Sequence, residues 1–208
     1  MRLARPKEKF VYRHNGLAEL EEALQKAAAL GARRAVVVTD GIFSMRGDNA
    51  PVREIAALIA RHEHRFRDGV VTVMDDSHGV AAYGPTGRGT EEHCGARVDI
   101  FVGTFGKAFG VNGGFVAGSP ELIEAVRQKA DTYTYTNPLG PADAAAAVKA
   151  IDIADAPEGR ARLANLQART TQFRRGLESL GFESIPGPHP VVPLLVRDTG
   201  RVRAMVAG

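Results

Sequence analysis

The fold is decided by the stretch Val70-Val-Thr-Val-Met-Asp-Asp-Ser-His-Gly79, in which a short apolar run passes directly into a polar cluster. The apolar run is rich in β-branched residues, which predicts a buried strand. Comparable runs lie before it at Arg34–Thr39 and after it at Val98–Gly103. A helix beginning at Pro51 is predicted between the first two runs. Strands and helices at this spacing predict parallel strands joined by crossover connections, and therefore an α/β sheet with flanking helices.

Further helices and strands are predicted on both sides of this region from apolar spacing, caps and punctuating glycines and prolines. The helices are Leu17–Leu30, one capped by Ser119, Ala142–Ala150 and Glu158–Leu180, and the strands are Gly113–Gly118 and Val191–Val196. The segment Gly187-Pro-His-Pro190 is predicted to be a linker, because glycine and proline punctuate it. A new αβ unit is expected to begin after this linker.

Composition and charge exclude several classes of protein. The 208 residues are 44% hydrophobic and 25% charged, which is ordinary for a globular chain. The 27 basic and 24 acidic residues give a net charge of +3, and the basic residues are scattered, so we expect no nucleic-acid partner. No apolar run approaches the roughly 20 residues of a membrane helix, so we expect no membrane partner. The single cysteine, Cys94, fits a cytoplasmic location.

Polar clusters mark the predicted strand ends. They are Asp40–Ser44, Asp75–His78, Thr104–Lys107 and, further along the chain, Tyr133–Asn137. In open α/β sheets, ligands bind beyond the carboxyl ends of the strands. The sequence therefore predicts a site where these clusters meet.

The cluster Asp75-Asp-Ser-His78 has three possible interpretations. A metal site could use Asp75 and His78, although further ligands are not evident. The acids could instead cap a following turn and serve only structure. The third possibility is a buried carboxylate at the strand end that keeps a heterocyclic nitrogen protonated, with the histidine beside it on the ring.

Lys107 favours the third interpretation. It lies in Gly103-Thr-Phe-Gly-Lys-Ala-Phe-Gly110, a loop of small and aromatic residues that directly follows an apolar strand. A lysine in this setting is predicted to be partly desolvated, which lowers its pKa and favours the neutral amine that forms an imine with an aldehyde. An ordinary surface lysine is the alternative. A Walker phosphate loop is excluded, because Ala108 follows the lysine where that motif has Ser or Thr.

Four motifs in this order closely resemble those of the α-oxoamine synthases, which are pyridoxal 5'-phosphate (PLP) enzymes of the aspartate-aminotransferase fold type I. The motifs are Asp40-Gly-Ile-Phe-Ser-Met-Arg-Gly-Asp48, Asp75-Asp-Ser-His-Gly79, Gly87-Arg-Gly89 and Gly103–Gly110. The resemblance runs from about Arg34 to Val196. It implies a mostly parallel sheet with flanking helices and PLP as the cofactor.

The resemblance also implies roles for individual residues. Lys107 would be the Schiff-base lysine, Asp75 would pair with the pyridinium nitrogen, and His78 would contact the 3-hydroxyl of the ring. Asp76, like Ser77, would be structural. No metal is implied.

Three hydroxyl side chains complete the implied cofactor site. Ser44 would lie near the ring and Thr104 would hold the phosphate. Thr136 matches a position that reaches the phosphate of the cofactor in the neighbouring subunit. The resemblance therefore implies a homodimer with the active site at its interface.

Relative to the family, the chain is expected to be a fragment. Residues 1–155 would form a partial PLP-binding large domain, 156–186 a long connecting helix, and 187–208 the start of a truncated C-terminal domain. The earlier part of the large domain would normally supply an aromatic residue that stacks on the ring and a glycine-rich phosphate loop. The C-terminal domain would normally supply the arginine that binds the substrate carboxylate.

The implied activity is that of a PLP-dependent C-acyltransferase, which condenses a small amino acid, glycine or alanine, with an acyl-CoA. Glycine with acetyl-CoA is the first choice, followed closely by alanine with pimeloyl-CoA or pimeloyl-carrier protein. An aminotransferase of the same fold type is a second hypothesis, and it would react with a 2-oxo acid in place of an acyl-CoA. An inactive truncated remnant is the third.

Overall fold

A four-stranded mixed sheet is the centre of the computed structural model, which describes residues 6–207. Up to the last strand of this sheet, the elements are α1 (Leu17–Ala29), β1 (Ala35–Asp40), α2 (Val52–His62), β2 (Val70–Asp75), α3 (Thr90–Cys94), β3 (Ile100–Thr104) and β4 (Gly114–Ala117). After it come α4 (Pro120–Lys129), α5 (Asp131–Thr134), α6 (Pro141–Asp155), α7 (Pro157–Ser179), β5 (Glu183–Ser184), β6 (Leu194–Leu195) and α8 (Thr199–Ala207). None of the helices in this described part is long and apolar enough to cross a membrane.

The sheet is mostly parallel, as the sequence predicts. Its strand order is β1-β2-β3-β4, with β1, β2 and β3 parallel and β4 antiparallel to β3. In this register Asp40 is the partner of Asp75, and Asp75 is the partner of Val102. The carboxyl ends of the three parallel strands therefore meet at one edge of the sheet.

The hydrophobic core lies on one face of this sheet. Leu20 and Leu24 of α1 and Ile55 and Leu58 of α2 are buried there, together with Met74 of β2 and other apolar residues of the same layer. Burying each such side chain stabilises the fold by roughly 1.5–3 kcal/mol. The three-and-four spacing that predicts α1 and α2 from sequence is thus the spacing that places their apolar faces on the sheet.

The opposite face of the sheet is only partly covered by the described residues. Side chains alternate along a strand, so Val36 points away from the core that contains its neighbour Val37. Val36 is 57% exposed, and Val116 of β4, on the same face, is 43% exposed. The face that carries Asp40 and Asp75 is therefore accessible.

Most predicted elements are present, and the differences lie in the C-terminal third. The segment 156–186, predicted to be a connecting helix, is helical only through Ser179. Gly181 then adopts a positive φ of 77° and the chain enters β5. The strand predicted at Val191–Val196 shrinks to the two residues of β6, because Pro193 cannot donate to a strand ladder.

One buried carboxylate joins three parts of the sheet edge. Asp76 is fully buried, directly after the last residue of β2. The Thr90 amide N–H donates to its Oδ2 at 2.6 Å and the Thr90 hydroxyl donates to its Oδ1 at 2.7 Å. The Asp76 N–H donates to the carbonyl of Val102 in β3 at 2.8 Å. Asp76 therefore connects the ends of β2 and β3 to the beginning of α3.

Glycines surround this carboxylate for a steric reason. A Cβ at Gly41, Gly79 or Gly89 would overlap a carboxylate oxygen of Asp76. Gly89 also has a φ of 86°, which strains any other residue. These glycines belong to the Asp-Gly, Ser-His-Gly and Gly-Arg-Gly motifs of the sequence. Gly41, Gly79 and Gly89 are thus explained by the space that one buried carboxylate needs.

Burial raises the pKa of Asp76 to about 6, while its hydrogen bonds to Thr90 act in the opposite direction. An unfolded aspartate titrates near pH 3.9. Between these values the folded chain binds the proton more tightly than the unfolded chain does. The contribution of Asp76 to stability therefore falls as the pH rises from about 4 through about 6.

We predict that Asp76→Asn lowers the free energy of unfolding at pH 7 by about 1–3 kcal/mol, because an amide cannot accept both hydrogen bonds from Thr90. The pH-dependent decline between pH 4 and 6 should also become shallower, since the titrating group is gone. Urea denaturation across this pH range measures both effects. Asp75→Asn is the matched control and should change stability by less than about 0.5 kcal/mol, because Asp75 is exposed. Equal losses in the two variants would contradict this account.

Candidate active site

Two carboxylates lie side by side at the carboxyl edge of the sheet. Asp40 ends β1 and Asp75 ends β2, and the two are register partners on the same face. Burial raises the pKa of Asp40, and the neighbouring charge of Asp75 raises it further. His78 and Lys107 act on the same carboxyl in the opposite direction. Asp40 therefore lies close enough to Asp75, His78 and Lys107 for their charges to shift its pKa.

His78 follows in the turn after β2 and is half-buried. Its pKa is lowered, first by burial and then by the charge of Lys107, while Asp75 and Asp40 raise it. The same groups thus act on His78 and on Asp40. We call Asp40, Asp75, His78 and Lys107 the edge cluster.

Lys107 is exposed, and this corrects the prediction that its loop desolvates it. The phenylalanines around it pack on one another rather than over the amine. The ring of Phe105 lies 5.7 Å from that of Phe109 and 5.2 Å from that of Phe115. The loop is therefore ordered by aromatic packing, while the lysine remains accessible.

Asp75 is also exposed, whereas the sequence interpretation requires a buried carboxylate. Its Oδ1 accepts a hydrogen bond from the Ser77 N–H at 3.0 Å, which fixes the carboxylate beside the turn. The exposure follows from the uncovered face of the sheet on which Asp75 lies. The buried acid of this motif is the next residue, Asp76, whose side chain is directed into the fold.

Thr104 organises the loop that carries Lys107. Its hydroxyl donates to the carbonyl of Gly113 at 3.0 Å and accepts from the N–H of Gly106 at 3.1 Å. Thr104 has a single hydroxyl proton, and this proton is already donated to a carbonyl within the loop. A phosphate contact by Thr104, as the resemblance implies, requires that proton to turn away from Gly113.

Ser44 and Thr136 are two predicted site residues that make no hydrogen bond to the edge cluster in the described part of the chain. Ser44 is exposed in the loop after β1, and Thr136 is exposed in the segment after α5. Within residues 6–207, neither hydroxyl makes a hydrogen bond to a side chain of the cluster. Two tyrosines, Tyr133 and Tyr135, precede Thr136 and are 60% and 86% exposed. The predicted roles of both hydroxyls stay predictions.

The structure adds Asp40 to the residues that sequence reasoning identified. The sequence places Asp40 in a polar cluster at a predicted strand end but gives it no role, and the structure shows that it ends β1 as Asp75 ends β2. The position of an acid at the end of two successive predicted strands was the sequence signal that could have identified Asp40. In the described part of the chain, no group of three or more His, Cys, Asp or Glu side chains is arranged to hold a metal ion. The edge cluster is therefore best described as an amine, an imidazole and two carboxylates suited to acid–base chemistry.

Comparison with known proteins gives the family. The family model described as aminotransferase class I and II matches residues 2–202. The chain is 39% identical over 200 residues to 8-amino-7-oxononanoate synthase from Thermosipho melanesiensis, covering 95% of this chain and 48% of the relative. It is 35% identical over 201 residues to 2-amino-3-ketobutyrate coenzyme A ligase from Salmonella typhimurium, again covering 95% of this chain and 48% of the relative.

A solved structure gives the same result at the level of the fold. A serine palmitoyltransferase variant from S. paucimobilis, with a bound PLP–myriocin aldimine, superposes with a TM-score of 0.81 at 28% identity. The match covers 93% of this chain and 49% of that one. The chain thus spans about half the length of the relatives that it matches.

These findings confirm the α/β fold type I and the resemblance to the α-oxoamine synthases that the sequence motifs indicate. The family match extends over almost the whole chain, well beyond the four motifs. The chain belongs to the class I and II aminotransferase family.

Proposed function

We propose that this chain is the PLP-binding part of a C-acyltransferase that condenses glycine or alanine with an acyl-CoA. The observation that carries the proposal is the edge cluster, in which the charges of Lys107 and Asp75 both act on His78 at the carboxyl edge of the sheet. Residues that are distant in sequence supply an amine, a carboxylate and an imidazole at one place. The same residues occupy the motifs on which the resemblance to the family rests.

The chemistry of this donor set fits PLP. The amine of Lys107 suits the aldehyde, the carboxylate of Asp75 suits the pyridine nitrogen, and the imidazole of His78 suits a ring hydroxyl. When bound, PLP supplies an electron sink for negative charge at the substrate α-carbon. Asp75 keeps the pyridine nitrogen protonated through its negative charge, and Lys107 is the base that accepts the α-proton. His78 is available as a neutral hydrogen-bonding group, because its pKa is lowered.

Acyl transfer is favoured over transamination by the names of the relatives. Two of these names describe compounds in which an amino carbon adjoins a keto carbon, and the third names a palmitoyl transfer. An α-amino ketone is the product expected when an amino-acid α-carbon attacks a thioester. A transaminase would instead pass its amino group to a 2-oxo acid.

We further propose that the protein is a cytoplasmic homodimer. The exposed tyrosines beside Thr136 form an apolar surface suited to a second copy. A partner over this surface would place Thr136 near the partner's cofactor and would shield the exposed edge cluster. Residues 1–155 would form part of the large domain, 156–186 would connect it to the C-terminal domain, and 187–208 would form the start of that domain.

We predict that Lys107→Ala abolishes PLP capture. Wild-type protein incubated with PLP should absorb above about 400 nm, and borohydride should fix the cofactor on Lys107 Nζ, because a neutral amine bonds to the aldehyde carbon. Mass spectrometry after digestion locates the label. Lys149→Ala, an exposed lysine on α6, is the matched control and should label normally.

Turnover of the wild-type protein tests the reaction itself. Glycine or alanine with acetyl-CoA or pimeloyl-CoA should release free CoA thiol, and Lys107→Ala should release none. Transfer of an amino group to a 2-oxo acid without CoA release would favour the aminotransferase hypothesis. A folded wild-type chain that neither binds PLP nor turns over would support the inactive remnant.

We predict that Asp75→Asn slows exchange of the glycine α-proton at least about a hundredfold, roughly 3 kcal/mol, because the ring nitrogen loses its charged partner. The measurement is proton NMR of glycine in D2O with PLP and protein. Asp40→Asn is the matched control, since Asp40 lies one strand away on the same face, and its effect should be less than about tenfold. If exchange falls strongly in Asp40→Asn but stays normal in Asp75→Asn, the pyridine nitrogen contacts Asp40 on β1, and the assignment to Asp75 on β2 is wrong.

We predict that Thr136 acts across the dimer. Light scattering should give twice the mass of the chain, and a monomer at all concentrations would contradict the dimer. Lys107→Ala and Thr136→Ala should each label poorly with PLP, yet an equal mixture should recover about a quarter of the wild-type sites, because random pairing leaves one complete site in each mixed dimer. No recovery on mixing would show that Thr136 does not act in trans.

A further inference from the structure

A buried histidine outside the edge cluster joins the C-terminal part of the chain to the turn that carries His78. His189 is 2% exposed, although the sequence of its segment predicts a linker. Its ring packs edge-on against Tyr83, with the ring centroids 5.2 Å apart. A buried imidazole is costly unless its nitrogens find partners. The partners of His189 therefore indicate what it does.

Both ring nitrogens of His189 are hydrogen-bonded. The Val191 N–H donates to Nδ1 at 3.0 Å, and Nε2 lies 3.3 Å from the carbonyl oxygen of His78. Because Nδ1 accepts a hydrogen bond, the proton of the neutral ring is on Nε2, which donates to the His78 carbonyl. Burial lowers the pKa of His189 to about 4, so the ring keeps this neutral form at neutral pH.

The segment that carries His189 is also held by α7. Arg174 donates to the carbonyl oxygens of Ile185 at 2.6 Å, His189 at 3.1 Å and Val191 at 3.2 Å. The Val191 carbonyl in turn lies against Gly47, where a Cβ would overlap it. The imidazole is thus anchored between α7 and the loops that follow β1 and β2.

We propose that His189 is a positioning residue for the cofactor site: by donating its Nε2–H to the His78 carbonyl, it fixes the turn that presents the His78 imidazole. It acts through His78 and does not touch the cofactor. The C-terminal segment thereby sets the orientation of a group at the carboxyl edge of the sheet. The consequence for PLP binding rests on the proposed function, whereas the contact itself does not require PLP.

The first measurement uses the wild-type chain without PLP. Nitrogen-15 NMR of the imidazoles, with signals assigned by substitution, should show the proton of His189 on Nε2. The ring should not titrate between about pH 5 and 8, where an ordinary histidine does. A proton on Nδ1, or a titration like that of a free histidine, would overturn the proposal.

Two substitutions separate the bond to His78 from the local turn. His189→Gln retains an amide N–H near the position of Nε2, whereas His189→Asn retains an acceptor for the Val191 N–H but is too short to reach His78. In His189→Asn we expect the pKa of His78 to rise towards that of free histidine, because a released turn exposes a ring that burial now shields. His189→Gln should keep the pKa of His78 close to that of the wild type.

The same pair tests the effect on the cofactor. His189→Asn should weaken PLP binding about tenfold, the size expected for one hydrogen bond, and shift the absorption band of the bound PLP. His189→Gln should restore most of the affinity and the wild-type band. A fall in Tm alone, with the His78 pKa and the band unchanged, would make His189 merely structural and the proposal wrong.

Failure of this proposal and failure of the proposed function are distinguishable. If the His78 pKa rises in His189→Asn but the wild-type chain binds no PLP, the positioning contact stands and the proposed function fails. If PLP binds to the wild-type chain but neither readout responds, only the positioning proposal fails. Should His189→Asn not fold, the wild-type NMR measurement and His189→Gln decide the question.

Discussion

The buried carboxylate of Asp76 is the interaction on which the site depends. It accepts two hydrogen bonds from Thr90 and leaves no room for a side chain at the nearest points of the surrounding loops. Losing a partner of a buried charged acceptor costs more than losing a surface bond, because the charge is then left unsatisfied. The end of β2 and the beginning of α3 are therefore held in one arrangement. Asp75 of the edge cluster directly precedes Asp76 in the chain, and His78 follows Asp76 by two positions.

Asp75 is exposed and the adjacent Asp76 is buried, and the difference has a geometric reason. Alternation along an extended chain sends neighbouring side chains to opposite sides, so Asp75 faces the accessible edge while Asp76 enters the fold. Asp76 is a structural group, because its carboxylate is buried and hydrogen-bonded to Thr90. Burial also raises its pKa to about 6. Asp75 instead lies beside Asp40 and influences His78. One dipeptide thus supplies both the support of the site and one of its chemical groups.

The candidate site contains the chemical groups that PLP chemistry needs, but the described residues leave these groups open to water. Lys107 and Asp75 are exposed, whereas a neutral amine and a strong carboxylate–pyridinium pair both benefit from the exclusion of water. The uncovered face of the sheet is the side on which this edge lies open. The C-terminal segment contributes from the other direction, because His189 reaches back to the His78 turn over 111 residues of sequence. A contact between residues so far apart in sequence leaves little local signal in the chain.

The sequence by itself determined most of the elements and the residue types of the candidate site. Local spacing and caps are sufficient for α1, α2 and the parallel strands, since periodicity reports which face is buried. The motif around Lys107 and the Asp75–His78 turn likewise indicated PLP chemistry. Only the tertiary structure decided which of these groups are exposed, that Asp40 joins them, and that the segment containing His189 is packed rather than a free linker. The physical reason is that exposure and charge coupling depend on which distant surfaces meet, and a linear pattern of residue types does not contain that information.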